Sequence, residues 1–520
     1  MFNRFIQAID PVTGSGVTID AERGRRILVV MLAAVTLLKL ALAAVLPLTG
    51  DEVYFFLWGK YPDYGYYDHP PMVGWWLAAL LAFGRAEWWL RLPIILLNTG
   101  IAWGMYVFLR PRIQERRARL VAILYLVAPV NIVNVLITTD TPLILFSFLS
   151  VLSLQRALRS ERFGWFASAG LMLGLALLSK YFAALLALAY AVTLLLLRPS
   201  KRHLAGLLVV ALCALPFMAL NLWWNYQHCW NNILFNFMNR HEHHHADWRN
   251  PLLFLALSVY TLTPALLWRA WQARREWLDR SRQESLFAWL WLLPMAALAA
   301  LSISSQIGLH WLLSFYPLFF IALAGLLDEA RLHKSIRFMA GFSALHLLAL
   351  AVILLLPLHT WSPGLRSSIA LGTYGDRYWA QMAPLLGNAT LASKDYVRSA
   401  TLEYFSGRHV PVFGRGSKYA RQDDQLTDYR QYAGKDIAIL LADDNSLAEY
   451  ARFFDRHEVG RITVKGVTQF LLLGHGFHFE QYRNEVLLPV RQQYYQRPAF
   501  LPCAACAFEQ RYFADQPSSP

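Results

Sequence analysis

Charge is scarce in this 520-residue chain: Lys, Arg, Asp and Glu make up 16% of it, against roughly 25% in an ordinary soluble domain. With 56% hydrophobic residues, where about 45–50% is usual, this scarcity excludes a plain cytosolic enzyme. Acid is scarcer than base. The 34 Asp+Glu against 48 Lys+Arg leave a formal charge of +14, a balance compatible with nucleic acid, a membrane surface or a membrane topology until its distribution is known. Internal repeats and low-complexity tracts are missing. Residues 1–26 lack the small-residue cleavage pattern of a removable signal peptide, so the first apolar stretch reads as a retained helix.

What is present in abundance is apolar length. Stretches near the length needed to cross a ~30 Å hydrocarbon core recur at 27–48, 88–109, 119–138, 141–158, 164–179, 182–197, 204–222, 251–268, 286–301, 311–327 and 338–357, then stop. Eleven transmembrane helices are predicted. Cytoplasmic loops retain Lys and Arg. Segments 1–26, 110–119, 156–162, 198–203, 269–282 and 328–337 carry 23 of them, whereas the intervening loops carry six: Lys60, Arg85, Arg91, Lys180, Arg240 and Arg249. The N-terminus is therefore placed in the cytoplasm, and residues 358–520 fall on the opposite, periplasmic side of a bacterial inner membrane. Topology accounts for the charge, and no nucleic acid is needed as a partner.

The chain divides into a cytoplasmic segment 1–26, a membrane domain 27–357 and a tail 358–520. In the tail, short apolar runs at 389–392, 410–413, 437–441 and 468–473 alternate with helical patterns at 396–406 and 445–456, which predicts a small α/β domain. Cys213 lies within a span and reads as packing. Cys503 and Cys506 lie outside, where a disulfide between them is permitted, and Cys229 is left without a role. Asp423-Asp424 and Asp443-Asp444 read as surface turns.

The loop between the first two spans runs about 40 residues, longer than a connector requires. Residues 51–60 and 71–83 each read as a short helix suited to the membrane interface, with Trp75, Trp76, Trp88 and Trp89 as a belt. Asp51 and Glu52 open the first of them. Carboxylates are favoured at a helix N-terminus, so plain capping competes with a catalytic role. Because adjacent helical residues point ~100° apart, the two acids do not share one job.

These segments resemble the GT-C superfamily, in the bacterial branch related to protein O-mannosyltransferases and the lipid A aminoarabinose transferase. The resemblance is carried by Asp51-Glu52 followed by an aromatic, Tyr66-Tyr67-Asp68-His69-Pro70-Pro71 and Arg91-Leu92-Pro93. It continues through Thr139-Asp140-Thr141, Ser179-Lys180-Tyr181, the segment 221–230, and His310-Trp311 through Tyr316-Pro317. The sequence departs from the aminoarabinose transferase pattern at Asp68-His69-Pro70, where that enzyme has Glu-Lys-Pro, and at Tyr54, where it has Arg.

The resemblance implies inverting transfer of a monosaccharide from a polyprenyl-phosphate donor to an extracytoplasmic acceptor, a lipopolysaccharide, lipid A or other envelope glycan. A protein acceptor and, from another class, a lipid or sugar transporter are the alternatives. An acceptor hydroxyl needs a carboxylate to take its proton, a role that falls to Asp51, with Glu52 beside it and Asp140 positioning acceptor or base. The departing lipid phosphate needs cations and hydrogen-bond donors. Lys180 leads the candidates, followed by Arg240, Arg249, Tyr54, Tyr66, Tyr67 and His69, with membrane-interface snorkelling as the plain reading of Lys180. Arg91 is expected to pair with Glu87 or anchor its helix. Asp68 and His310 are expected in the loops at the acceptor. No cofactor is required, although relatives suggest a structural divalent metal, zinc, held by His243 and Asp68. A solvated loop is the competing reading of the histidine cluster at 241–245.

Overall fold

The computed structural model describes residues 17–239, 247–279, 285–498, 500–504 and 506–514. Helices dominate the first two thirds. Every apolar stretch predicted as a span contains helix, but not all are single rods. Five helices are long and apolar enough to cross a membrane: Glu22–Val45, Leu92–Leu109, Asp140–Ser160, Lys201–Gln227 and Glu329–Leu355. A sixth is broken. Arg249–Leu262 and Pro264–Gln272 meet at 92°, where Thr263 takes φ +64° and the following proline has no N–H to continue the ladder.

The remaining stretches are shorter or divided. Phe163–Leu177, Ala183–Leu197 and Ser285–Leu301 are single short elements. The stretch 119–138 becomes Glu115–Leu126 and Pro129–Val133, and 311–327 becomes Leu309–Leu312 and Tyr316–Leu323. Pro129 and Pro317 stand at helix starts, which apolar length alone does not register.

Burial sorts these helices by neighbour. Asp140–Ser160 is 67% buried within the protein, whereas Lys201–Gln227 and Glu329–Leu355 are 17% and 11% buried. The last two present Leu204, Leu208, Leu212, Leu345 and Leu348 outward, a surface that only an apolar solvent accepts.

The two interfacial helices form at Gly50–Lys60 and Met72–Leu81. The first is capped reciprocally: the Thr49 hydroxyl accepts from the Glu52 N–H, and the Glu52 carboxylate accepts from the Thr49 N–H.

The tail builds a four-stranded sheet from β1 (Thr390–Ser393), β2 (Ile437–Leu441), β3 (Phe454–Val464) and β4 (Val467–Phe477), in the order β1-β2-β4-β3. β1 and β2 run parallel, and β4 is antiparallel to both its neighbours. The β3–β4 hairpin closes through Lys465 and Gly466, at φ +51° and +75°. Such a pair of positive φ values suits a two-residue turn whose twist matches the strands. β2 is buried on both faces: Ile437, Ile439 and Leu441 pack with Phe413, Phe477 and Tyr482, while Ala438 and Leu440 pack with Leu371, Tyr378 and Leu402.

Three expectations in the tail change. The helix at 445–456 shrinks to Leu447–Ala451, because Phe454 already starts β3. The run 410–413 contributes one isolated bridge, Ser393 to Val412. Cys506 pairs with Cys229, 277 residues away, rather than with Cys503, which is free. The disulfide ties the end of the tail to the loop after Lys201–Gln227.

Candidate functional site

The first turn of Gly50–Lys60 sends its two acids to different places. The Glu52 carboxylate accepts from Arg91 Nε at 2.8 Å and Arg91 Nη2 at 2.7 Å, and also from the Ile137 N–H at 3.1 Å. Both side chains of this ion pair are 0% exposed. The rest of the guanidinium donates to the carbonyls of Ala43, Leu46 and Pro47 at the end of the first helix. Glu52 is therefore a clamp joining three elements and does not line the cavity that Asp51 faces, and Arg91 pairs with it rather than with Glu87.

Asp51, one residue earlier, faces a cavity of about 590 Å³. Burial and the nearby Asp68 hold its carboxyl above the usual aspartate range, with Glu52 adding to the shift and His69 and Lys180 opposing it. Into the same cavity open Tyr54, Asp68, His69, Asp140, Lys180 and His310. Side chains far apart in sequence thus meet at one place.

Asp140 begins the helix Asp140–Ser160 and Lys180 follows Phe163–Leu177. Lys180 Nζ donates to both Asp140 oxygens, at 2.9 and 2.8 Å, and both side chains are buried. That overturns the plain reading of Lys180, which does not snorkel but is held by the Asp140 carboxylate. Asp140 thereby positions Lys180.

The Tyr66–Pro71 loop is fixed by amides from the helix that follows residue 230. Asn232 donates to the Tyr66 carbonyl at 2.8 Å and Asn236 to the Asp68 carbonyl at 2.9 Å. The Tyr54 hydroxyl donates to Asp68 at 3.2 Å, and His69 Nδ1 lies 3.5 Å from the same carboxylate without a hydrogen bond to it.

The two tyrosines of the loop turn away from the cavity. Tyr66 stacks on Trp58 at 4.5 Å and donates to the Trp58 carbonyl. Tyr67 is absent from the cavity lining. Its N–H is taken by Gln422 of the tail, and its ring rests against Phe235. Arg249 sits exposed at a helix start and is likewise not a lining residue.

Arg240 and His243 lie outside the described residues. Among the described residues no group of three or more His, Cys, Asp and Glu could hold a metal ion. Asp68, the other residue expected at a metal, accepts from Tyr54.

Sequence reasoning named no residue of the tail at the site. Tyr396, Tyr419 and Ala420 line the cavity beside Asn134 and Trp311. Asp395 caps the helix Tyr396–Ser406, and that helix lies along Gly50–Lys60. A Cβ added at Gly50 would come 2.9 Å from Val397, while Lys60 and Tyr61 both donate to the buried Glu403. A helix starting Asp-Tyr was legible at 396–406, but nothing local tells which element it covers.

Comparison with known proteins agrees with this architecture. Residues 68–224 match the family model described as dolichyl-phosphate-mannose-protein mannosyltransferase. Over 255 residues the chain is 28% identical to the lipid A galacturonosyltransferase RgtD of Rhizobium johnstonii, an alignment covering 46% of this chain and 52% of that protein. The chain thus spans about half the length of this curated relative. The crystal structure of ArnT from Cupriavidus metallidurans in the apo state superposes with a TM-score of 0.59 at 17% identity, covering 85% of this chain and 97% of that one. The chain is similar to the GT-C superfamily glycosyltransferases in sequence and shares their fold, that of a mostly helical, multi-pass membrane protein.

Proposed function

We propose that this protein is an inverting glycosyltransferase that moves a monosaccharide from a polyprenyl-phosphate donor to a hydroxyl of lipid A or another envelope glycan. The observation that carries the reading is the meeting of Asp51, Asp140 and Lys180 in one cavity bounded by membrane helices, interfacial helix and tail. In this reading eleven crossings of a bacterial inner membrane leave the N-terminus in the cytoplasm and put the cavity and tail in the periplasm.

Each group then has a task. The Asp51 carboxylate takes the acceptor hydroxyl proton as that oxygen attacks the anomeric carbon, and its raised pKa makes it a stronger base than an ordinary aspartate. The lipid phosphate leaves as an anion and needs positive charge, not a proton. Lys180, oriented by Asp140, supplies it, and the His69 ring lines the same cavity as a lesser donor, while the Tyr54 hydroxyl donates to Asp68. Attack and departure occur on opposite faces of the sugar, which inverts the configuration. A single phosphate needs less charge neutralisation than a pyrophosphate, so the chemical step requires no metal in this account.

The test is purified protein given a panel of undecaprenyl-phosphate monosaccharides and purified lipid A. Release of undecaprenyl phosphate coupled to a sugar gain on lipid A, with or without EDTA, supports the proposal. Passage of lipid-linked sugar across a liposome membrane with no sugar consumed would overturn it in favour of a transporter.

A further inference from the structure

Asp51 has neighbours of both charge signs: Lys180, and the acids Asp68 and Glu52. The cation of the site, Lys180, is held on the membrane-helix wall by Asp140. Asp51 also has Asp68 beside it, and the tail's Tyr396, close enough to both acids to feel their charge, lines the same cavity. Anionic lipid phosphate is favoured beside Lys180 and disfavoured between two carboxylates. A neutral alcohol has the opposite preference.

Tyr396 is held firmly in that place. Its ring packs edge-on against Tyr54 at 5.3 Å. The next residue, Val397, abuts Gly50, and two residues on Arg398 is buried, donating to Gln469 and Ser367. The helix that carries Tyr396 is therefore anchored to both the sheet and the interfacial helix. The hydroxyl itself has no hydrogen-bond partner among the described residues, although it belongs to the cavity lining. Burial first, then Asp51 and Asp68, keep the phenol protonated, so it is a donor at any pH the membrane tolerates.

We infer that Tyr396 is a positioning residue for the acceptor: its O–H donates to the attacking hydroxyl oxygen while Asp51 accepts that hydroxyl's proton, so the tail domain completes the acceptor half of the site. The two partners of one alcohol then come from different domains. The acceptor recognised beside Asp51 and Tyr396 is an uncharged carbohydrate hydroxyl, and the phosphate is kept beside Lys180. The inference rests on the glycosyltransferase reading and adds to it a named residue through which the tail acts.

The experiment is steady-state transfer from an undecaprenyl-phosphate sugar to purified lipid A by wild type and Tyr396→Phe, varying each substrate in turn. Tyr396→Phe keeps the ring against Tyr54 and removes one neutral hydrogen bond, an effect of roughly 3- to 10-fold. The acceptor KM should rise by that factor while the donor KM and the thermal unfolding midpoint stay within error. Tyr396→Ala, which also removes the ring, should raise the acceptor KM further. An unchanged acceptor KM in both variants, or equal rises in both KM values, overturns the inference while leaving the glycosyltransferase reading intact. A wild type that transfers no sugar overturns both.

Discussion

Glu52→Gln separates a structural acid from a catalytic one, because Glu52 and Asp51 are neighbours with different surroundings. In the wild type the guanidinium of Arg91, 0% exposed, is balanced by a single carboxylate and three neutral carbonyls. The substituted side chain would put an amide NH₂ where Arg91 needs an acceptor and would leave its charge uncompensated. Breaking a buried pair from one side costs about 3–5 kcal/mol, mostly the penalty of the orphaned charge. A large part of the protein's margin, commonly about 5–15 kcal/mol, would go. Thermal unfolding of the detergent-solubilised protein, followed by tryptophan fluorescence, should show a clear downward shift. Arg91→Gln should match it, and the double variant should be less destabilised than the sum, with a coupling of about 1–3 kcal/mol. A Glu52→Gln protein that unfolds at the wild-type temperature yet fails in catalysis would refute the clamp and return Glu52 to the chemistry.

Other outcomes follow from the same geometry. Lys180→Met removes the cation beside the lipid phosphate and should lower kcat/KM by about 10²-fold, with Asp140→Asn giving a smaller loss in the same direction. The acid limb of the kcat/KM profile should lie above the ordinary aspartate range: Asp51 acts ionised, its pKa is raised, and activity is lost as pH falls through that raised value. Non-reducing peptide mapping should recover a Cys229–Cys506 crosslink and an alkylated Cys503, and Cys506→Ser should cost stability, at most about 5 kcal/mol for so long a loop. A Cys503–Cys506 crosslink would contradict the first of these.

Much of this site was readable because it depends on local pattern. Apolar length marks membrane helices, polar residues at their outward ends mark loops, and Asp51, Asp140 and Lys180 each stand at such an end. Interfacial helices at Gly50–Lys60 and Met72–Leu81 were visible from their lengths and aromatic content. Pairings across the fold were not. Arg91 and Glu52 are 39 residues apart and Cys229 and Cys506 are 277 apart, so nothing in their neighbourhoods selects the partner. β3 was missed because it is an edge strand whose burial lies mostly at its ends, leaving its middle, Asp455 to Gly460, without the apolar alternation that identifies a half-buried strand. Tyr396 was missed for a similar reason: it matters through what its helix lies against, and a helix start does not disclose that.

The account stands on Asp51 as the base. Release of undecaprenyl phosphate by Asp51→Asn, measured with lipid A and a lipid-linked sugar that the wild type uses, tests it most directly. The variant keeps the volume and shape of the side chain and loses its charge and basicity. The expected result is a kcat lower by about 10²–10⁴-fold, with the donor KM and thermal unfolding unchanged. A variant that releases lipid phosphate at close to the wild-type rate would show that the proton of the acceptor goes elsewhere.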